Sequence, residues 1–197
     1  MKREKELEQI IMKYLPERYE KSKKSIKEYY HESAEKICEE LEKNICHGIL
    51  ECKKLGKRIN HIVVSILYSS SLTKSYELQI AFLDNRIYLD DVPVYEYWVP
   101  EFIFKNIEDD LQFLKKMASA DIPRIKEYEM EPIRYTYVLN HYFLVLLYIK
   151  QVIPGIIEKL SVQHNVMEKK IMVSFGRYME KGVLLYQGGK VNEVLSY

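Results

Sequence analysis

Lys36–Lys54 reads KICEELEKNICHGILECKK and gathers all three cysteines of the chain with one of its five histidines. It is either a thiol or metal site or one side of a helix, and the choice is angular. At about 100° per residue, Leu41, Ile45 and Cys52 fall within roughly 60° of Cys38, whereas Cys46 lies about 80° to the other side and His47 faces nearly opposite. Zinc requires sulfur and nitrogen ligands within ~2.0–2.3 Å of one point, which on a single helix only residues three or four apart can provide. No two of Cys38, Cys46, His47 and Cys52 have that spacing. Cys38 and Cys52 stand ~21 Å apart along the axis. The stretch is therefore a helix stripe in which Cys38 and Cys52 replace aliphatic residues, and no metal is assigned. Cys46, at the edge of the stripe, is the one candidate for a catalytic thiol, and no Cys-centred protease signature accompanies it.

Worked outward, the stripe runs through Tyr30, Ala34, Ile37, Leu41, Ile45, Gly48, Cys52 and Leu55 at steps of three and four, which predicts a helix from Glu17 to about Leu55 closed by Gly56. A shorter amphipathic helix is expected over residues 2–14, with Pro16 as the break between the two. A helix of nearly 40 residues would be ~60 Å long, so it must kink, or project and find a partner.

Beyond Gly56 the period changes to two. Ile62, Val64, Ile66 and Tyr68 alternate with Val63, Ser65, Leu67 and Ser69, and Tyr76, Leu78, Ile80 and Phe82 alternate with more polar neighbours. Two strands follow, joined by a polar connection over Ser69–Lys74. Asp84-Asn85 is read as a hairpin turn leading to a third strand, Ile87–Leu89, of a meander. The proline-bounded segment Val92–Pro100 is read as an extended loop or edge segment. A helix is expected from Glu101 to Met117, a punctuated acidic stretch over 121–131, and a central helix over Ile133–Ile153 that is apolar nearly all round. Pro154-Gly155 bends or ends it, Ile156–Val162 adds further turns, and the tail forms a hairpin about Glu180-Lys181-Gly182. The fold class is α+β, with residues 1–58 as a helical arm and residues 59–197 as a globular domain.

Composition narrows the function classes. The formal charge is +1, with an acidic middle segment between mildly basic flanks, so no global field draws the protein to nucleic acid or acidic lipid. Lysines cluster at 21–24 and 53–57, but on a helix rich in glutamate. With most tyrosines at core periods, nucleic-acid binding ranks third. No apolar h-region follows the charged opening residues, and the most apolar window, Tyr135–Ile149, is shorter than the ~20 residues a spanning helix needs. With three thiols, an odd number, this leads to the expectation of a cytoplasmic protein without membrane contact.

No cofactor motif is present: Gly188-Gly189 lacks the lysine and helix of a phosphate loop, Ser69–Ser71 lacks the context of a nucleophile elbow, and the carboxylates at 108–110 and 127–131 read as solvated faces. Two places remain. The segment holding Tyr95, Tyr97 and Trp98, the only tryptophan of the chain, suits a protein interface because such rings bury much area with few rotors, or it covers the edge of a core. Asn140-His141, in the apolar helix, must be hydrogen-bonded, either as a satisfied core pair or as polar groups in a pocket for a small molecule. The favoured function is a non-enzymatic interaction domain that self-associates or binds a protein partner through the long helix and the Trp98 segment. The alternative is a small-molecule binder or enzyme with its pocket at Asn140/His141.

Overall fold

The computed structural model describes residues 2–188, and the last residues of the expected globular domain lie outside them. The fold is α+β. Its elements in chain order are α1 (Lys2–Lys54), β1 (Ile59–Ile66), α2 (Tyr68–Thr73), β2 (Leu78–Leu83), a 3-10 turn (Ile87–Leu89), β3 (Val94–Trp98), α3 (Glu101–Phe104), α4 (Ile107–Ala118), α5 (Glu127–Gln163), β4 (Met167–Arg177) and β5 (Val183–Gln187).

Pro16 does not break the first helix, which runs unbroken for 53 residues. Pro132 and Pro154 likewise lie inside α5, where separate shorter helices were expected. A proline deprives the carbonyl four residues earlier of its helical donor. Here those carbonyls belong to Met12, Tyr128 and Lys150, all exposed residues, so water can take the place of the missing N–H. The C-terminal stop of α1 is as expected: Gly56 adopts φ +65°, and the N–H groups of Gly56 and Lys57 donate to the carbonyls of Lys53 and Cys52, closing the last turn.

Packing groups the chain into two compact units. The first comprises Met1–Ala34 and Pro100–Val145, the second Glu35–Val99 and Leu146–Tyr197. In the first, Leu7, Ile10, Ile11, Leu15 and Ile26 of α1 are buried, as are Phe102, Ile103 and Phe104 of α3, Ile107, Leu111 and Leu114 of α4, and Ile133, Tyr137 and Val138 of α5. The expected helix over 101–117 is two, parted at Lys105-Asn106.

The second unit is built on a five-stranded sheet in the order β3-β2-β1-β4-β5. β1, β2 and β3 form an antiparallel meander, and the expected terminal hairpin, β4-β5, joins it with β4 parallel to β1. Two assignments are corrected. Ile87–Leu89 is a 3-10 turn, not a strand, and the third strand of the meander is Val94–Trp98. Asp84 does not start a two-residue hairpin, because its carboxylate accepts the Arg86 N–H and its own N–H is held by Asp90. The Ser69–Lys74 connection is helical over Tyr68–Thr73. The even-numbered face of β2, with Ile62 and Val64 of β1 and Val173 and Phe175 of β4, packs on Ile37, Leu41, Ile45, Ile49 and Cys52 of α1 and on Ile149, Ile153 and Ile157 of α5, all buried. The stripe of α1 thus faces its own chain.

Candidate functional site

Alternation along β3 separates the three aromatic residues singled out from the sequence. Trp98 is 4% exposed and tilts against Tyr148, with ring centroids 6.3 Å apart. It covers the edge of the core. Tyr95 and Tyr97 point to the opposite face of the sheet, 41% and 49% exposed. Their cross-strand partners on β2 are Ala81 and Gln79, which supply a floor on that face.

Two turns bring further rings to the same place. Tyr88, from the 3-10 turn, and Tyr178, just past β4, meet edge to face with centroids 6.1 Å apart. Tyr88, Tyr95, Tyr178 and Met179 line one shallow depression over Ala81 and Leu83. Burial, and then the neighbouring phenols of Tyr178 and Tyr97, push the Tyr95 phenol above its ordinary value. Beneath Tyr97, the Gln79 amide donates to its hydroxyl at 3.4 Å, while Gln79 Oε1 is buried with no hydrogen-bond partner among the described residues.

The backbone that carries these rings is strained on both sides. Ile87 and Met179, each adjacent to a tyrosine of the face, adopt φ +57° and +59°, a region that costs a non-glycine residue on the order of 1–3 kcal/mol. Strain of that size persists only where surrounding contacts over-determine it. On the Tyr88 side, Lys57 Nζ meets Asp90 Oδ2 at 2.5 Å with both side chains buried, and it also donates to the carbonyls of Phe82 and Val92. Burial pushes the Asp90 carboxyl up, yet the bonds from Lys57 and from the N–H groups of Asp84 and Val92 hold it below its ordinary value.

Charge around the face is largely cancelled. Arg86 is tied to Asp84 and Asp91, and Arg177 lies 3.8 Å from Glu180. No lysine or arginine lines the depression. The sequence gives no signal for the convergence of Tyr88 and Tyr178 with Tyr95, because it arises from the pairing of distant strands.

Asn140 and His141 occupy a different environment, in the first unit. His141 is fully buried. Its Nδ1 donates to the Tyr137 carbonyl at 2.9 Å, leaving Nε2 to accept the Ser22 hydroxyl at 3.2 Å. Burial holds its pKa below the ordinary value, against the opposing influence of the Tyr137 carbonyl and Asp110. Asn140 is half-buried, and its carbonyl accepts the Tyr19 hydroxyl. Beside them, Asp110 takes Arg18 Nε at 2.5 Å and the Tyr137 hydroxyl at 2.6 Å. In sequence Asp110 reads as part of a solvated face, and its burial shows only in three dimensions. A nucleophilic role for Ser22 would require an opening to solvent, and Ser22, Tyr137 and His141 are all buried.

A groove of about 410 Å³ in this unit is lined by Ile11, Leu15, Tyr128 and Ile133 together with Glu4 and Glu8, and not by Asn140 or His141. Among the described residues no three His, Cys, Asp or Glu side chains converge as a metal site, and no helix is long and apolar enough to cross a membrane. No protein-family model matches the chain, and no curated protein or solved structure matches it.

Proposed function

We infer that the chain is a cytoplasmic, non-enzymatic interaction protein that binds a protein partner through the open sheet face at β3. The observation that carries this reading is the exposure of Tyr95 and Tyr97, two large rings on an edge strand, joined by Tyr88 and Tyr178. Aromatic residues deliver interface energy through area buried at small rotamer cost. The unused edge of β3 offers backbone groups to an incoming extended segment, and alternate side chains of that segment would meet the tyrosines. The absence of a basic lining favours a protein over single-stranded nucleic acid, for which stacking rings need a positive groove beside them. The apolar stripe of α1 from Ile37 to Cys52 is buried in its own chain, which favours the sheet face over the long helix as the surface for a partner.

The test compares the wild-type chain with Tyr95→Ser/Tyr97→Ser by quantitative affinity purification and by light scattering. A protein enriched with the wild type and lost with the variant supports the reading. A wild-type dimer dispersed by the same substitutions identifies the partner as a second copy. If both forms recover the same proteins and both run as monomers, the reading is overturned.

A further inference from the structure

The three thiols of the chain are free, and the fold treats them differently. Cys52 is fully buried, and burial pushes its thiol up to about 11. Cys38 is also pushed up, by burial and then by Glu42, although Lys159 opposes this. Cys46 is half-buried on α1 and its Sγ lies 3.8 Å from Nε2 of His164, hydrogen-bonding distance for sulfur. His164 is placed by the end of α5, where its backbone N–H donates to the Leu160 carbonyl at 3.0 Å, and it is itself half-buried. The two residues are 118 positions apart, so the pair is a product of the second unit's fold.

We propose that Cys46 and His164 form a thiol–imidazole pair that makes Cys46 the reactive thiol of this protein and the site at which it takes up a low-molecular-weight disulfide. The thiolate is the nucleophile in such exchange. Neutral imidazole at Nε2 accepts the Sγ proton, the sulfur electron pair attacks one sulfur of the disulfide, and the S–S bond breaks. The departing thiolate leaves with the proton returned by the imidazolium, so Cys46 ends as a mixed disulfide and one small thiol is released. The disulfide is the oxidant, and no other co-reactant is needed. Neither Cys38 nor Cys52 has an imidazole in a comparable place: Cys38 sits among Glu39, Glu42 and Lys159, and Cys52 beside Lys57, Asp90 and Glu51. This inference is independent of the tyrosine face.

The test uses the full folded chain and dithiobis(nitrobenzoate), a small aromatic disulfide, followed by stopped-flow absorbance, with peptide mapping of the modified cysteine. One thiol should react ahead of the others and map to Cys46, and Cys46→Ser should abolish that phase. His164→Gln, checked for an unchanged melting temperature, should slow the Cys46 phase by roughly tenfold or more while leaving the slower phases alone. Should His164→Gln also melt early, His164→Asn serves as the second variant. Incubation with an aliphatic disulfide should add one mixed-disulfide mass to the wild type and none to Cys46→Ser. If Cys46 reacts no faster than Cys38, or keeps its rate in folded His164 variants, the proposal fails.

Discussion

Gly48 of α1 lies directly against the ring of Phe82: a Cβ placed on Gly48 would stand 2.1 Å from Phe82 Cε2. Glycine in a helix interior is ordinarily unfavourable by ~1 kcal/mol relative to alanine. Here the missing side chain is what lets α1 meet β2, because Phe82 is fully buried and a close-packed interior resists displacement of its ring. Gly48→Ala should therefore destabilise the protein by about 1–3 kcal/mol despite the gain in helix propensity. Gly155→Ala is the control, since a Cβ there meets nothing within 4 Å and should be neutral or stabilising. Urea unfolding of the two variants checks this, and equal stability gains in both would contradict the packing argument.

The Lys57–Asp90 clamp makes a second prediction. Both side chains are buried, and Lys57 spends its three donors on Asp90, Phe82 and Val92. Lys57→Met leaves Asp90 a buried charge held only by backbone N–H groups, and a loss of about 3–5 kcal/mol is expected. Adding Asp90→Asn to that variant should recover part of the loss, a coupling that a double-mutant cycle reads directly. Because the clamp fixes the loop bearing Tyr88, milder variants that still fold should also weaken the protein binding proposed for the tyrosine face. Strictly additive losses would show that the two groups do not act as a pair.

The parts of the fold carried by period were legible. The stripe from Ile37 to Cys52, the alternation in β1 and β2 and the inward set Phe102, Ile103, Ile107, Leu111 and Leu114 are all set by local repetition, and Ile37, Leu41, Ile45, Cys52, Ile62, Val64, Leu78, Ile80 and Phe82 are buried along with that set, whereas Tyr68, expected at the end of the first strand, is exposed at the start of α2. Punctuation is less legible: Pro16 and Pro132 read as helix boundaries and Pro154 as a bend or end, although each lies inside a helix and deprives an exposed residue's carbonyl that water can serve. Ile87–Leu89 reads as a strand by propensity but is a 3-10 turn, because Asp84 and Lys57 capture the chain through side-chain bonds that no propensity records. Of the three aromatic residues that composition singles out, Tyr95 and Tyr97 are exposed and Trp98 is buried. Tyr88, Tyr178, Asp110 and the His164 partner of Cys46 carry no such signal, since each is brought in by contacts distant in sequence.

Mild acid should weaken the fold through its buried histidines. Burial depresses the pKa of His141 and of His61, the latter against Asp84, whereas in the unfolded chain histidine titrates near ~6.5. The folded form thus holds fewer protons than the unfolded form once the pH falls through ~6.5, and stability falls with it by at most ~1.4 kcal/mol per pH unit per histidine. Above that pH the contribution is fully present. Urea midpoints should be flat from about pH 8 to pH 7 and decline toward pH 5. His141→Gln should start lower, having lost a buried hydrogen-bonded ring, and decline less steeply, leaving the part due to His61. An unchanged slope would mean that His141 does not take up its proton on unfolding.

Pro16 offers the sharpest check on the continuity of α1. It lies in the helix with Leu15 buried beside it and its own ring exposed, so removing the ring should uncover no core. Alanine at the same position restores an N–H able to donate to the Met12 carbonyl and relieves the clash with that turn. In helix interiors proline is less favourable than alanine by about 3 kcal/mol. Part of that is already offset here by hydration of the exposed Met12 carbonyl and by the smaller entropy of a proline-containing unfolded chain. Pro16→Ala should accordingly raise stability by roughly 1–2 kcal/mol, with increased protection from hydrogen exchange at residue 16 and the turns around it. A loss of stability would mean that the ring makes a contact needed by the first unit.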